Sequence, residues 1–244
     1  MNKLFGTLVL GIAALSVTSS MVSAKDKKDQ GKPSVVDSGT FVVYSSGRKV
    51  ASETFTIKKM ADMSVNKSEV RAEGSKDVQK SELQLTPMGD LIRYEWKESG
   101  DEKGETVIAP NDQFLTQRVK AGDKTTEQPY LMPPSTAILD DYFFSHRELL
   151  LWRYLGSGCR PTSGSNSCAL EKAQFGFIIP RQRASGMVTV RYIGREMVTV
   201  NGASKELSKF VFSSDYGEWV LWLDDAYKLT KIAVPGENIE VVRE

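Results

Sequence analysis

The 244-residue chain is 40% hydrophobic and 26% charged, the balance of a folded globular protein and not of an intrinsically disordered one. One His and two Cys are too few for a His/Cys zinc cluster or an iron–sulfur site. Lys+Arg 32 against Asp+Glu 31 leaves no basic excess, so the sequence carries no footprint of a nucleic-acid binder.

In chain order, Met1-Asn2-Lys3 is a short positive region, Leu4 to Val17 is mostly apolar, and Val22-Ser23-Ala24 is a small-residue box followed by charge. That order predicts a signal peptide over 1–24 and a periplasmic or secreted location in a bacterial envelope. The apolar stretch is short of the ~20 residues that span a bilayer, and no later run is long enough, so no transmembrane segment is expected after cleavage. Residues 25–37 begin with a polar, charged run and read as a disordered leader before one β-rich domain over 38–244.

From Gly39 the hydrophobic period is two. Strands are expected around 41–44 and 51–57, then at 64–73, 77–86, 90–97, 104–109 and 113–119. In 51–57, Glu53 shares a face with Ala51, Phe55 and Ile57; the position fits either a sheet edge that reaches water or a polar anchor inside a cavity. In 90–97, Ile92, Tyr94 and Trp96 share one face. The period changes between Thr136 and Leu155, where Leu139, Tyr142, Phe143, Leu149, Leu150 and Tyr154 fall near helical spacing. A long helix is expected over 136–155, with Ser135 as N-cap, Asp140 and Asp141 in its first turns, Arg147 and Arg153 later, and Gly156 at its end.

The loop 157–169 holds Cys159 and Cys168 among turn formers. In an exported chain this pair reads as a disulfide and not as a Cys-x-x-Cys redox pair. Strands resume at 173–179, 187–193, 196–200, 205–213, 218–224, 228–234 and 238–243, with Asn201-Gly202 as a hairpin turn. Glu196 raises the same question of burial as Glu53. Trp219-Val220-Leu221-Trp222-Leu223 is apolar on both faces, so the other face is covered by a second layer or a Trp lines a groove. Tyr44-Ser-Ser-Gly47-Arg48 and Tyr192-Ile-Gly194-Arg195 are similar hairpin pieces, too short for a repeat.

No Gly-x-Ser-x-Gly elbow, Walker A motif or dinucleotide fingerprint occurs, and no acidic pair has calcium-loop spacing. No catalytic residue, metal or cofactor is assigned, and His146 reads first as a packed helix-face residue.

Tyr216-Gly217-Glu218-Trp219-Val220-Leu221-Trp222-Leu223-Asp224, followed by Leu229-Thr230-Lys231-Ile232, resembles the closing hairpin of exported β-rich proteins similar to the lipoprotein-carrier superfamily. The resemblance implies an incomplete antiparallel barrel with a helix in its concave side and, in several members, apolar ligands. The expected fold is therefore mainly β: a single curved antiparallel sheet or incomplete barrel with one long central helix. The expected function is binding or carrying an apolar or lipid-like ligand, with Glu53, Phe55, Tyr94, Trp96, Tyr142, Phe143, His146 and Trp222 as contacts. The alternatives are an envelope structural or protein-interaction protein with no small ligand, and third an enzyme of unknown reaction.

Overall fold

The computed structural model describes residues 33–99, 104–158 and 172–244. The expected signal peptide, leader residues 25–32 and both cysteines of the expected disulfide lie outside the described residues.

The first half of the chain runs out from the middle of one sheet. Strands β1 (Ser34–Ser45), β2 (Arg48–Lys59), β3 (Ser64–Ala72), β4 (Val78–Leu85), β5 (Leu91–Ser99), β6 (Gly104–Asn111), β7 (Phe114–Ala121) and β8 (Lys124–Tyr130) pair in succession. The second half starts at the opposite edge and returns through β9 (Ala137–Ile138), β10 (Lys172–Ile179), β11 (Ala184–Val200), β12 (Ala203–Ser214), β13 (Gly217–Leu223), β14 (Leu229–Val234) and β15 (Ile239–Arg243). β15 then pairs antiparallel with β1, from Phe41 opposite Arg243 to Ser45 opposite Ile239. The 15-stranded sheet is curved and unclosed, and every pairing is antiparallel except β9 on β10. The consecutive strands β8 and β9 are its two edges. Beside them, side chains bridge the gap where backbone pairing stops: Gln117 Nε2 donates to the Pro180 carbonyl at 2.8 Å, and Tyr130 Oη donates to Gln117 Oε1 at 2.6 Å.

Three of the expected boundaries change. β1 begins at Ser34, so 34–37 belong to a strand and not to a disordered leader; Asp37 is buried between Arg243 (2.7 Å) and Lys228 (2.9 Å), which offset the cost of burying its charge. The helix α1 spans Ser145–Gly156, 12 residues and not the expected 136–155. Ala137 and Ile138 pair with β10 instead, and Tyr142 takes a left-handed φ of 64°, which stops helical propagation from upstream. Leu139 and Phe143 are buried by a folded loop, which mimics helical spacing, while Tyr142 is half-exposed. The expected strands 187–193 and 196–200 are one strand with a bulge between Tyr192 and Gly194. β8 was not expected, because Lys-Thr-Thr-Glu-Gln-Pro-Tyr shows no apolar alternation and is largely exposed.

The bulge divides the core. Before it, Val188, Val190 and Tyr192 join Phe41, Phe55, Phe210, Leu221 and Ile232 on the face that packs against Leu151 and Tyr154 of α1. After it, Val198 and Val200 turn to the opposite face and bury Val211, Val220 and Trp222. Asn201 Nδ2 donates to the Arg243 carbonyl at 2.9 Å, so the β11–β12 hairpin folds over the outer face of β15. A further cluster, Leu83, Leu91, Tyr94, Ile108 and Leu115, packs against Ile138 and Ile178 from the edge β9–β10.

Candidate functional site

The start of α1 organises the interior. Its first amides need acceptors, and no side chain of its own segment supplies one. Glu53 does so from β2: its Oε2 accepts the amides of Phe144 (2.6 Å) and Ser145 (3.2 Å), and its Oε1 accepts the Ser145 hydroxyl (2.6 Å). Asn66 Nδ2 donates to Ser145 Oγ at 2.7 Å, and the Ser68 hydroxyl lies 2.9 Å from the same oxygen. Burial pushes the Glu53 carboxyl above its ordinary range, opposed by these hydrogen bonds. β2 is an interior strand and Glu53 is fully buried, so the edge reading does not hold; its oxygens serve the helix.

Tyr94, Trp96, Tyr142 and Phe143 do come together, around an ion pair. Asp140, read from the sequence as a first-turn helix residue, is fully buried and accepts the Tyr94 hydroxyl and Arg181 Nε (3.2 Å). The Arg181 guanidinium lies 5.8 Å from the Trp96 ring, 5.1 Å from Tyr142 and 5.6 Å from Phe143. Burial raises the Asp140 carboxyl, against the attraction of Arg181. His146 stacks on Phe143 at 5.5 Å with Tyr94 edge-on at 5.6 Å. Neither ring nitrogen of His146 has a hydrogen-bond partner among the described residues, and burial holds its pKa well below the usual value. Phe55 stacks on Phe41 at 5.0 Å in the main core. Trp222 faces away from α1, because its strand parity places Leu221 and Leu223 inward; its Nε1 donates to Glu196 Oε1 at 2.7 Å. Glu196 reaches solvent and also holds Lys209 at 3.2 Å.

Beside this ion pair the sheet encloses a cavity of about 430 Å³. Val43, Phe177, Ile179, Val188, Phe212, Trp219 and Ile239 supply its apolar sheet wall, and Leu139, Phe144 and Arg147 supply the opposite wall. The half-exposed Tyr142 and Tyr216 lie at the surface side of the lining. Of the eight expected contacts, only Tyr142 lines it.

Arg147 is the residue that the sequence reading missed. With α1 starting at Ser145 it lies in the first turn, where the helix dipole disfavours a cation, and not in the later turns that were expected. It is buried, yet no carboxylate lies in ion-pair contact with it among the described residues. Its Nη1 donates to the carbonyls of Asp140 (2.9 Å) and Phe143 (3.1 Å), and its guanidinium carbon sits 4.1 Å from the Trp219 ring centroid. Burial lowers its pKa to about 10, which leaves it charged at neutral pH. The sequence signal would have been Phe144 and Arg147 on one helix face, but it requires knowing where the helix begins.

The geometry defines a class: a β-rich half-barrel whose helix start closes one side of an internal, partly open apolar cavity. Comparison with family models, curated proteins and solved structures finds no match. Among the described residues no helix is long and apolar enough to cross a membrane, which says nothing of strands, and no cluster of ligating side chains has the makings of a metal site.

Proposed function

We propose that this protein binds an apolar, lipid-like molecule in the cavity between the start of α1 and the β1, β10–β13 and β15 side of the sheet, as an exported carrier. The supporting observation is the cavity itself. Its volume of about 430 Å³ falls within the range of small-molecule sites, ~300–1,000 Å³, and its sheet wall is apolar and aromatic. A well-packed core would leave no such space. The reading rests on this cavity and not on kinship, because a fold alone does not determine function.

Native mass spectrometry and organic extraction of the protein purified from its host envelope test the reading. A copurifying apolar molecule, released on denaturation and competing with a neutral dye such as N-phenyl-1-naphthylamine, is the expected result. Absence of both a copurifying molecule and saturable dye binding would overturn it. Export belongs to the same proposal: N-terminal sequencing should begin at or near Lys25, and a non-reducing peptide map should join the peptides of Cys159 and Cys168.

A further inference from the structure

We infer that the cavity takes a single acyl chain ending in a carboxylate, and that Arg147 receives the carboxylate. This rests on the cavity reading above and adds the chemical class of the ligand.

A guanidinium taken out of water without a counter-ion is costly, and proteins ordinarily pair it. Arg147 is buried and has no carboxylate in contact among the described residues, while every other buried or nearly buried arginine named above has one: Arg181 holds Asp140, and Arg243 holds Asp37. The Arg147 side chain is held in place from two directions. Nη1 is committed to the carbonyls of Asp140 and Phe143 in the loop before α1, and the guanidinium face lies against Trp219, which lines the cavity. That leaves Nε and Nη2 without hydrogen-bond partners among the described residues. These two N–H groups form the side-on fork of a guanidinium, whose spacing matches the two oxygens of one carboxylate.

The acidic groups of the lining stop short of that position. Asp141 attracts the Arg147 charge through space but makes no ion-pair contact with it; it is half-buried and accepts Gln182 Nε2 at 2.9 Å through its Oδ2, and Glu237 is exposed. Beyond the guanidinium, Phe177, Val188, Phe212 and Ile239 offer an apolar path with no further buried cation. The volume suits one chain and not several.

The test displaces N-phenyl-1-naphthylamine from the full mature chain with dodecanoate and with dodecan-1-ol, which share a tail and differ in charge. Wild type should bind dodecanoate at least about tenfold more tightly than the alcohol, as expected for a charge-assisted hydrogen-bonded pair. Arg147→Met should keep dye binding and bind acid and alcohol alike. Arg147→Lys, which keeps the charge but loses the fork, should retain only part of the preference, and it decides the matter if Arg147→Met does not fold. Equal affinity of wild type for acid and alcohol, or an undiminished preference in Arg147→Lys and Arg147→Met, would overturn this inference while leaving the cavity reading intact. Failure of wild type to bind the dye or either amphiphile would instead defeat the cavity reading itself.

Discussion

Glu148 should make the fold less stable as pH rises. It is fully buried on α1, its Oε1 accepts the Leu229 amide at 2.8 Å, and it lies beside Asp37 and 3.6 Å from Arg243 Nη1. Burial first, and the neighbouring Asp37 charge second, raise its pKa to about 9 from 4.5. Asp37 is the partner that stays ionised: burial opposes this, but hydrogen bonds from Arg243 and Lys228 hold its pKa below the ordinary value. The folded state therefore keeps a proton that the unfolded chain releases near 4.5, so this contribution is complete below 4.5 and is lost as pH rises through about 9. One excess bound proton makes the unfolding free energy fall by about 1.4 kcal/mol per pH unit, or about 2.7 kcal/mol across two units at most. Glu148→Gln retains an acceptor for Leu229 and a donor toward Asp37 but cannot titrate. Urea melts at intervals from pH 6 to pH 9 should show a falling wild-type stability and a flatter profile in the variant. Identical slopes in the two proteins would refute the assignment of that proton to Glu148.

Other consequences follow the same logic. His146 has a depressed pKa, so its contribution is present above the ordinary value of 6.5 and is lost as pH falls below it; His146→Phe should flatten that acid limb in thermal melts. Glu53→Ala leaves the Phe144 and Ser145 amides and the buried Ser145 hydroxyl without their acceptor, and should cost about 3 kcal/mol by denaturant unfolding. Phe143→Ala removes a fully buried ring that does not line the cavity and should cost about 3–5 kcal/mol. Phe212→Ala, at the cavity wall, should cost less and weaken dye binding; the reverse order in equilibrium melts would count against the cavity.

Most strands were legible because their period of two survives wherever one face is buried. Edge strand β8 was not legible, since an exposed strand needs no apolar alternation. The helix was misjudged at its start because burial in the loop 139–144 copies helical spacing, and neither the left-handed Tyr142 nor the carboxylate reaching in from β2 leaves a local mark in the sequence. That single boundary also hid the candidate site. Moving the helix start to Ser145 changes Arg147 from a residue favoured by the dipole into one that its surroundings must hold in place. Trp222, expected as a ligand contact, faces away from α1: a strand apolar on both sides gives no parity, and Val198 and Val200, which cover its outer face, follow a bulge in a different strand.

The pairing of β1 with β15 has a consequence for how the chain matures. The two strands that meet at the centre of the sheet come from opposite ends of the described domain, with Phe41 opposite Arg243. Each half can meander on its own, but the halves share a sheet only after the last strand exists. Contacts this distant in sequence are slow to form, because loop-closure entropy must be overcome first. A nascent chain therefore cannot complete this domain before β15 leaves the ribosome. Until then β1 presents an unpaired edge, and the two halves of the sheet remain separate meanders.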